Sequence, residues 1–324
     1  MAYTAGDTIL DDEYNTFVNS SSSPFGYNHF AGTGSGAYGL GQTHLATVSG
    51  GSTTITAAHW NTLFTAMDNI GNHTNDSLTA RTAVSAGDTI AIKAAVEADL
   101  ATLAASVNGG SVNATALTTS SAKQTSNSSS TWTGSHTVEH SVTFANADTM
   151  RHFFNAGGKI NVQKTRTGNG ATGGGTTSKD TNWTNLYAAL GTIAIGGQVS
   201  TRSGSGETLT TNGLANGFHD LGTGYTHIIR LTEATSPYTS NYIDVHAKLD
   251  AAVGSAVTIT VKTTAVDGAA DNTYTSGNTS GVNATPDRNG THQATITVTS
   301  VTDAQGLASA IAESSTAVVS NSTT

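Results

Sequence analysis

The sequence predicts a mainly β protein, an antiparallel β-sandwich preceded by short repeated helices. Three observations point there. From His136 onward, apolar and polar residues alternate in one stretch after another, the period of a half-buried strand. Loops rich in Gly, Asn and Asp separate these stretches, as in "GNGATGGGTTSKDTN". Before residue 104 the apolar spacing is instead helical, and the helical segments open on related sequences.

Composition narrows the function. Only 11% of the 324 residues are charged, where a cytosolic enzyme carries about a quarter. The formal charge is −9, and residues 1–120 hold nine acids against two bases. Such a surface repels nucleic acid and anionic lipid, and no Lys/Arg cluster offsets it. No apolar run approaches the length of a membrane span, so no membrane insertion is expected. The N-terminal segment lacks the charged-then-apolar layout of a signal peptide. With no cysteine, disulfides and thiolate metal sites are excluded. The expectation is a part assembled inside a cell and later exposed outside it.

Residues 1–103 read as a helical docking region. "AGDTILDDEYNTF" (Ala5–Phe17) matches "GSTTITAAHWNTL" (Gly51–Leu63), and the opening returns in "AGDTIAIKAAVEADLATL" (Ala86–Leu103). An Ile lies five residues before an aromatic in the first two copies, Ile9 to Tyr14 and Ile55 to Trp60. With Thr56 as the N-cap, Ile55 and Trp60 form a hydrophobic staple, and Trp60, Leu63, Phe64 and Met67 share a helix face. These residues either dock to a neighbouring subunit or pack the helices on one another. Residues 104–135 ("SAKQTSNSSSTWTGS") read as a Ser/Thr-rich linker or arm.

Residues 136–301 form the expected sandwich. "SHTVEHSVTF", "NYIDVHAKL", "AVTITVKT" and "HQATITVTSV" alternate, and "GYTHIIRLT" and "LGTIAIGGQV" add strands. "TNWTNLYAAL" (Thr181–Leu190) reads as one short helix with Thr181 as its cap. In "RHFFNAGGKINV" a strand follows the glycines, so a phosphate cradle, which needs a helix there, is excluded. Asn155, Gly157 and Gly158 then read as a hairpin turn, with Phe153 and Phe154 extended on opposite faces. Residues 302–324 read as a short helix and a final arm.

Candidate chemistry is sparse. "HTVEH" (His136–His140) matches a zinc-protease pattern, but on a strand the two imidazoles stand roughly 13 Å apart, too far to share a metal. "DGAADNTY" offers Asp267, Asp271 and Asn272 as oxygen ligands without the spacing of a calcium loop. Aromatics in polar stretches, Trp132, Trp183, Tyr225, Tyr238, Tyr242 and Tyr274, suit either sugar stacking or interior anchoring, with Trp183 and Tyr238 as the candidate glycan contacts. No catalytic, cofactor-binding or metal residue is assigned.

"MRHFFNAGGKINV", followed by "TNWTNLYAALGTIAIGG", "NGFHDL" and "SNYIDVHAKL", resembles a module in virion structural proteins of contractile-tailed phages, especially those of marine cyanobacteria. "AGDTI", "GTGSGAYGLGQ" and "ITAAHWNTL" resemble the same group, so the similarity spans most of residues 1–250. The resemblance implies a non-enzymatic virion component of the tail, baseplate, neck or fibre. Its partners would be further copies of itself and other virion proteins. Two alternatives are a capsid decoration or vertex protein and an adhesin that binds a host surface glycan. These motifs are structural and transfer no catalytic residue.

Overall fold

The structure is a computed structural model that describes residues 11–49, 55–88, 93–127, 132, 134–167, 174–269, 289–302, 306–307 and 310–324. Ile9, Asp271, Asn272 and Tyr274 lie outside the described residues. The chain forms two compact units, one of Met1–Thr118, Asp148–Gly158 and Ser300–Ala312, the other of Thr119–Ala147, Lys159–Thr299 and Glu313–Thr324.

The first unit is helical: α1 (Asp11–Asn19), α2 (Tyr27–Phe30), α3 (Ala57–Thr74), α4 (Lys93–Asn108) and α5 (Ala147–Asn155), of which all but Ala147 belongs here. Helix α3 starts where its sequence predicts. Thr56 is the N-cap, and its backbone N–H donates to His59 Nδ1 at 3.1 Å. The helix runs to Thr74, because the apolar stripe continues past Met67 to Ile70. On α4, Val96, Leu100, Leu103 and Val107 form a matching buried stripe.

The repeat is internal to this unit. Tyr14 packs edge-on against Trp60 with ring centroids 5.7 Å apart, and Phe17 meets the same indole at 6.0 Å. Both Tyr14 and Trp60 are buried and Ile55 is half-buried, so the two aromatics join α1 to α3 and present no surface to a neighbour. Docking through those two aromatics is therefore corrected to helix packing.

The segment "RHFFNAGG" is a helix end, which corrects the expected hairpin. Gly158 N–H donates to Phe153 O at 2.9 Å and Gly157 N–H to Phe154 O at 3.2 Å, a Schellman closure with Gly157 at φ +88°. Phe153 and Phe154 are both buried, rings perpendicular at 5.1 Å. The polar face of α5 explains the rest of the motif. Asn155 Nδ2 lies 3.2, 2.9 and 3.1 Å from the carbonyl oxygens of Gly36, Tyr38 and Gly39. Arg151 reaches Thr33 O and Tyr38 O, and His152 Nε2 lies 3.0 Å from Thr33 O. One turn of helix thus holds the glycine-rich loop "GTGSGAYG", whose carbonyls no strand or helix satisfies.

The second unit is the predicted sandwich of two antiparallel sheets. The strands are β1 (Leu117–Thr119, of which only Thr119 belongs to this unit), β2 (Gln124–Asn127), β3 (Ser135–Thr143), β4 (Lys159–Thr167), β5 (Thr192–Ile195), β6 (Ser200–Arg202), β7 (Thr208–Asn212), β8 (Thr226–Thr232), β9 (Tyr242–Leu249), β10 (Thr258–Val266), β11 (Thr291–Val301, all but its last two residues in this unit) and β12 (Ser315–Thr323). One sheet has the order β1-β11-β4-β5-β6, with β2 also pairing β11; the other is β12-β3-β10-β9-β8-β7. Strands β3 and β10 alternate buried and half-buried residues throughout, and Val142 faces Ile259 across the ladder.

Three expectations fail for physical reasons. The Ser/Thr-rich stretch 104–135 contains the end of α4 and the short strands β1 and β2, where Thr125 pairs with Thr295 and Thr119 bonds Thr299, because Thr fits a ladder edge. The tail 302–324 ends in strand β12, its Thr-Ala-Val-Val run pairing along β3. Helix α6 (Gly174–Leu190) begins seven residues before Thr181, which therefore caps nothing.

Gly157→Ala would place a Cβ 2.7 Å from Val112 Cγ1 at a left-handed φ. It should lower stability by roughly 1–3 kcal/mol in urea denaturation. Asn155→Ala, which removes the side-chain donor of Gly36 O and Gly39 O and one of the two donors of Tyr38 O, should cost about 2 kcal/mol. Neutrality of both would contradict the cap-and-clamp account.

Candidate functional site

Helix α6 places the most unusual chemistry of the described residues inside the sandwich. Its inward face carries Lys179, Asn182, Trp183, Leu186, Tyr187 and Leu190, spaced three or four apart, and all are buried. The helix packs on β4, β8 and β9. A face with this many polar groups requires partners inside the protein.

Those partners come from the segments that flank β3, β10 and β11. Trp183 Nε1 donates to Asn289 Oδ1 at 2.8 Å, and Asn289 Nδ2 donates to Trp132 O at 2.9 Å and Asp267 Oδ2 at 3.0 Å. Lys179 Nζ forms an ion pair with the same Asp267 oxygen, with both side chains almost wholly buried. Tyr187 OH meets His292 Nδ1, while His292 Nε2 donates to Asn289 O at 2.9 Å, so this imidazole is the neutral Nε2–H tautomer. Trp132 and Trp183 stand edge-on to the His292 ring at 4.7 and 4.9 Å.

A second group lies on the inward faces of β3 and β4. Lys164 Nζ is 3.2 Å from both His136 Nδ1 and His136 O, and His136 Nε2 is 3.1 Å from Asn321 Oδ1. His140, four residues along the same face, is buried with no hydrogen bond to either ring nitrogen. Burial pushes Lys164 down to about 7. Burial first, then the charge of Lys164, pushes His136 down to about 3 and His140 to about 4. The "HTVEH" residues thus sit on a strand and serve the interior.

A third cluster faces outward on β8 and β9. His227 and His246 are cross-strand partners whose rings stack at 4.3 Å, 7° from parallel, and His227 Nε2 is 3.0 Å from Asp244 Oδ1. The donor atoms of His227, Asp244 and His246 lie within 4.8 Å of one another, which is metal-ligand chemistry. Arg230, however, grips the carboxylate with both arms, Nε to Oδ1 at 2.7 Å and a terminal nitrogen to Oδ2 at 2.5 Å. The guanidinium satisfies the carboxylate and opposes a dication, so the cluster reads as a surface ion pair. Asp-x-His on one strand face was its only trace in the sequence; the register that adds His227 is not visible there.

The candidate sugar contacts are corrected. Trp183 is fully enclosed and hydrogen-bonded to Asn289, and Tyr238 is buried in the β8–β9 connection, so neither offers a ring face to a ligand. Asp267, weighed as an oxygen ligand in a stretch without calcium-loop spacing, holds Lys179. The helical unit has a shallow groove of about 740 Å³ lined by Gln42, Ala58, Thr62, Thr65, Leu307 and neighbours, with no charged side chain. No family model, curated protein or solved structure matches the chain.

The buried bases set a pH dependence. His136 and His140 are neutral when folded but protonate near their ordinary 6.5 when unfolded, so stability is lost as pH falls from about 6.5 to about 4 for His140 and about 3 for His136. For Lys164 the window lies between its ordinary 10.5 and about 7, and stability again falls as pH falls through it. Lys164→Met should flatten the rise in unfolding midpoint between about pH 7 and pH 9 while keeping the larger, burial-driven part of the acid slope. An unchanged alkaline slope would contradict a desolvated Lys164.

Proposed function

We propose that this chain is a non-enzymatic structural part of a tailed-phage virion that works through assembly of its subunits. The segments that resemble phage virion proteins support this reading by where they lie. "RHFFNAGG" caps a helix and holds a loop, "NWTNLYAAL" packs inside the sandwich, and "ITAAHWNTL" joins two helices. Each builds the fold, as expected of a module whose role is architecture.

The observation that carries the assembly reading is the edge strand β12. It terminates its sheet, pairing β3 on one side. Its sequence "STAVVSNST" has no charge and no proline, two of the devices that blunt free edges, and its one irregularity is a register shift between Val318 and Ser320. Val318 is 37% and Val319 56% exposed, two of three exposed large hydrophobics among the described residues. Side chains of Gln124 and Asn321 link β2 and β12, but the two strands form no ladder. A strand of this kind pairs with a neighbouring subunit, and a symmetric contact with a second copy is the simplest arrangement. Tail, baseplate, neck and fibre positions share this chemistry, as does capsid decoration.

Sedimentation of the purified protein should show a discrete oligomer, and Val318→Glu with Val319→Glu should shift it toward monomer with the unfolding midpoint little changed. A wild-type monomer at all concentrations, or an oligomer indifferent to the two glutamates, would contradict assembly through β12.

A further inference from the structure

We propose that Lys179 and Asn289 are joined by a self-formed isopeptide bond, with Asp267 as the acid–base group. The three residues come from separate elements of the second unit: α6, the segment after β10 and the segment before β11. Lys179 and Asn289 are buried, and the Asp267 side chain is 3% exposed. Asp267 Oδ2 receives both Lys179 Nζ and Asn289 Nδ2, the attacking and leaving nitrogens of an amide exchange, around one oxygen. Asn289 Oδ1, where negative charge would build, accepts the Trp183 Nε1–H at 2.8 Å. Asp267 Oδ1 is buried and makes no hydrogen bond, an unsatisfied acceptor beside an ammonium.

Nucleophile, proton carrier and oxyanion donor are therefore present together, away from water, where oriented dipoles act most strongly. Asp267 takes one proton from the Lys179 ammonium, and the freed Nζ lone pair attacks Asn289 Cγ. The carbonyl electrons move onto Oδ1, toward the Trp183 N–H. Asp267 delivers its proton to Nδ2 and accepts a second one from Nζ. The Cγ–Nδ2 bond breaks, ammonia leaves, and the carbonyl reforms as a Lys–Asn amide. No oxidant or external reagent takes part, and charge balances throughout. The product holds a neutral Asp267 in place of a buried ion pair, which relieves the desolvation that such a pair suffers.

Asn289 is the acceptor in preference to Asp267 itself. A direct link to Asp267 would expel water from a carboxylate with no second acid bonded to it among the described residues to protonate the leaving oxygen. The Asn route has that acid in place. The bond would tie α6 to the start of β11 and enclose residues 180–288. It is independent of assembly through β12, since all its atoms come from one chain.

Intact mass spectrometry of the denatured full-length protein decides the matter. The wild type should be lighter than its sequence by one ammonia. Digestion should release a branched peptide that joins the segments of Lys179 and Asn289. Lys179→Arg, which keeps the charge but removes the nucleophile, and Asp267→Ala should both show the full sequence mass. A wild type at full mass overturns the proposal even if every variant misfolds. So does loss of water with a Lys179–Asp267 peptide, or ammonia loss that persists in Lys179→Arg.

Discussion

One carboxylate organises the interior of the sandwich. Asp267 Oδ2 receives Lys179 from α6 and Asn289 from the strand β11 approach, while its own N–H donates to Gly134 O at 2.8 Å just before β3. Asn289 in turn accepts from the Trp183 indole and donates to the backbone carbonyl of Trp132, and its own carbonyl holds His292. The cause lies in composition. With 36% hydrophobic and 6% aromatic residues, the chain cannot fill two sheets and a helix with apolar side chains alone. It fills them with Lys, Asn, His and Tyr, each of which needs a partner. Specificity of the fold follows from that pairing, because a slipped register would strand several polar groups at once.

The same economy appears in the helical unit. Arg151 and Asn155 are buried on α5, and they satisfy carbonyls of a loop that has no regular structure of its own. Glycine allows that loop its tight path, and the helix supplies the donors. The two units solve one problem, apolar scarcity, by the same means.

Much of this was legible beforehand. Period-two alternation located β3, β9, β10 and β11, and the Ile-Thr-x-x-x-Trp spacing located the start of α3 at Thr56. What escaped was decided by tertiary partners. "DTMRHFFN" carries helix-compatible spacing, but two adjacent Phe followed by a strand suggested extension; burial of both rings within one helix turn is a packing fact. Trp183 looked available because its neighbours Asn182 and Thr184 are polar, yet Asn182 is itself buried and bonded to Glu233. Strand β12 was hidden by an Ala/Ser-rich stretch whose partner, β3, lies far away in sequence. The Lys179, Asp267 and Asn289 group spans three distant segments and has no local signature.

These features join in a chain whose residues are spent on cohesion, with an uncharged strand at one sheet edge that we propose pairs with a neighbour. Electron cryo-microscopy of intact phage particles tests that claim most directly. The account predicts this chain at a symmetric position in the particle, with β12 seated against an adjacent subunit. Particles that lack the chain, in an infection that produces it abundantly, would contradict the account.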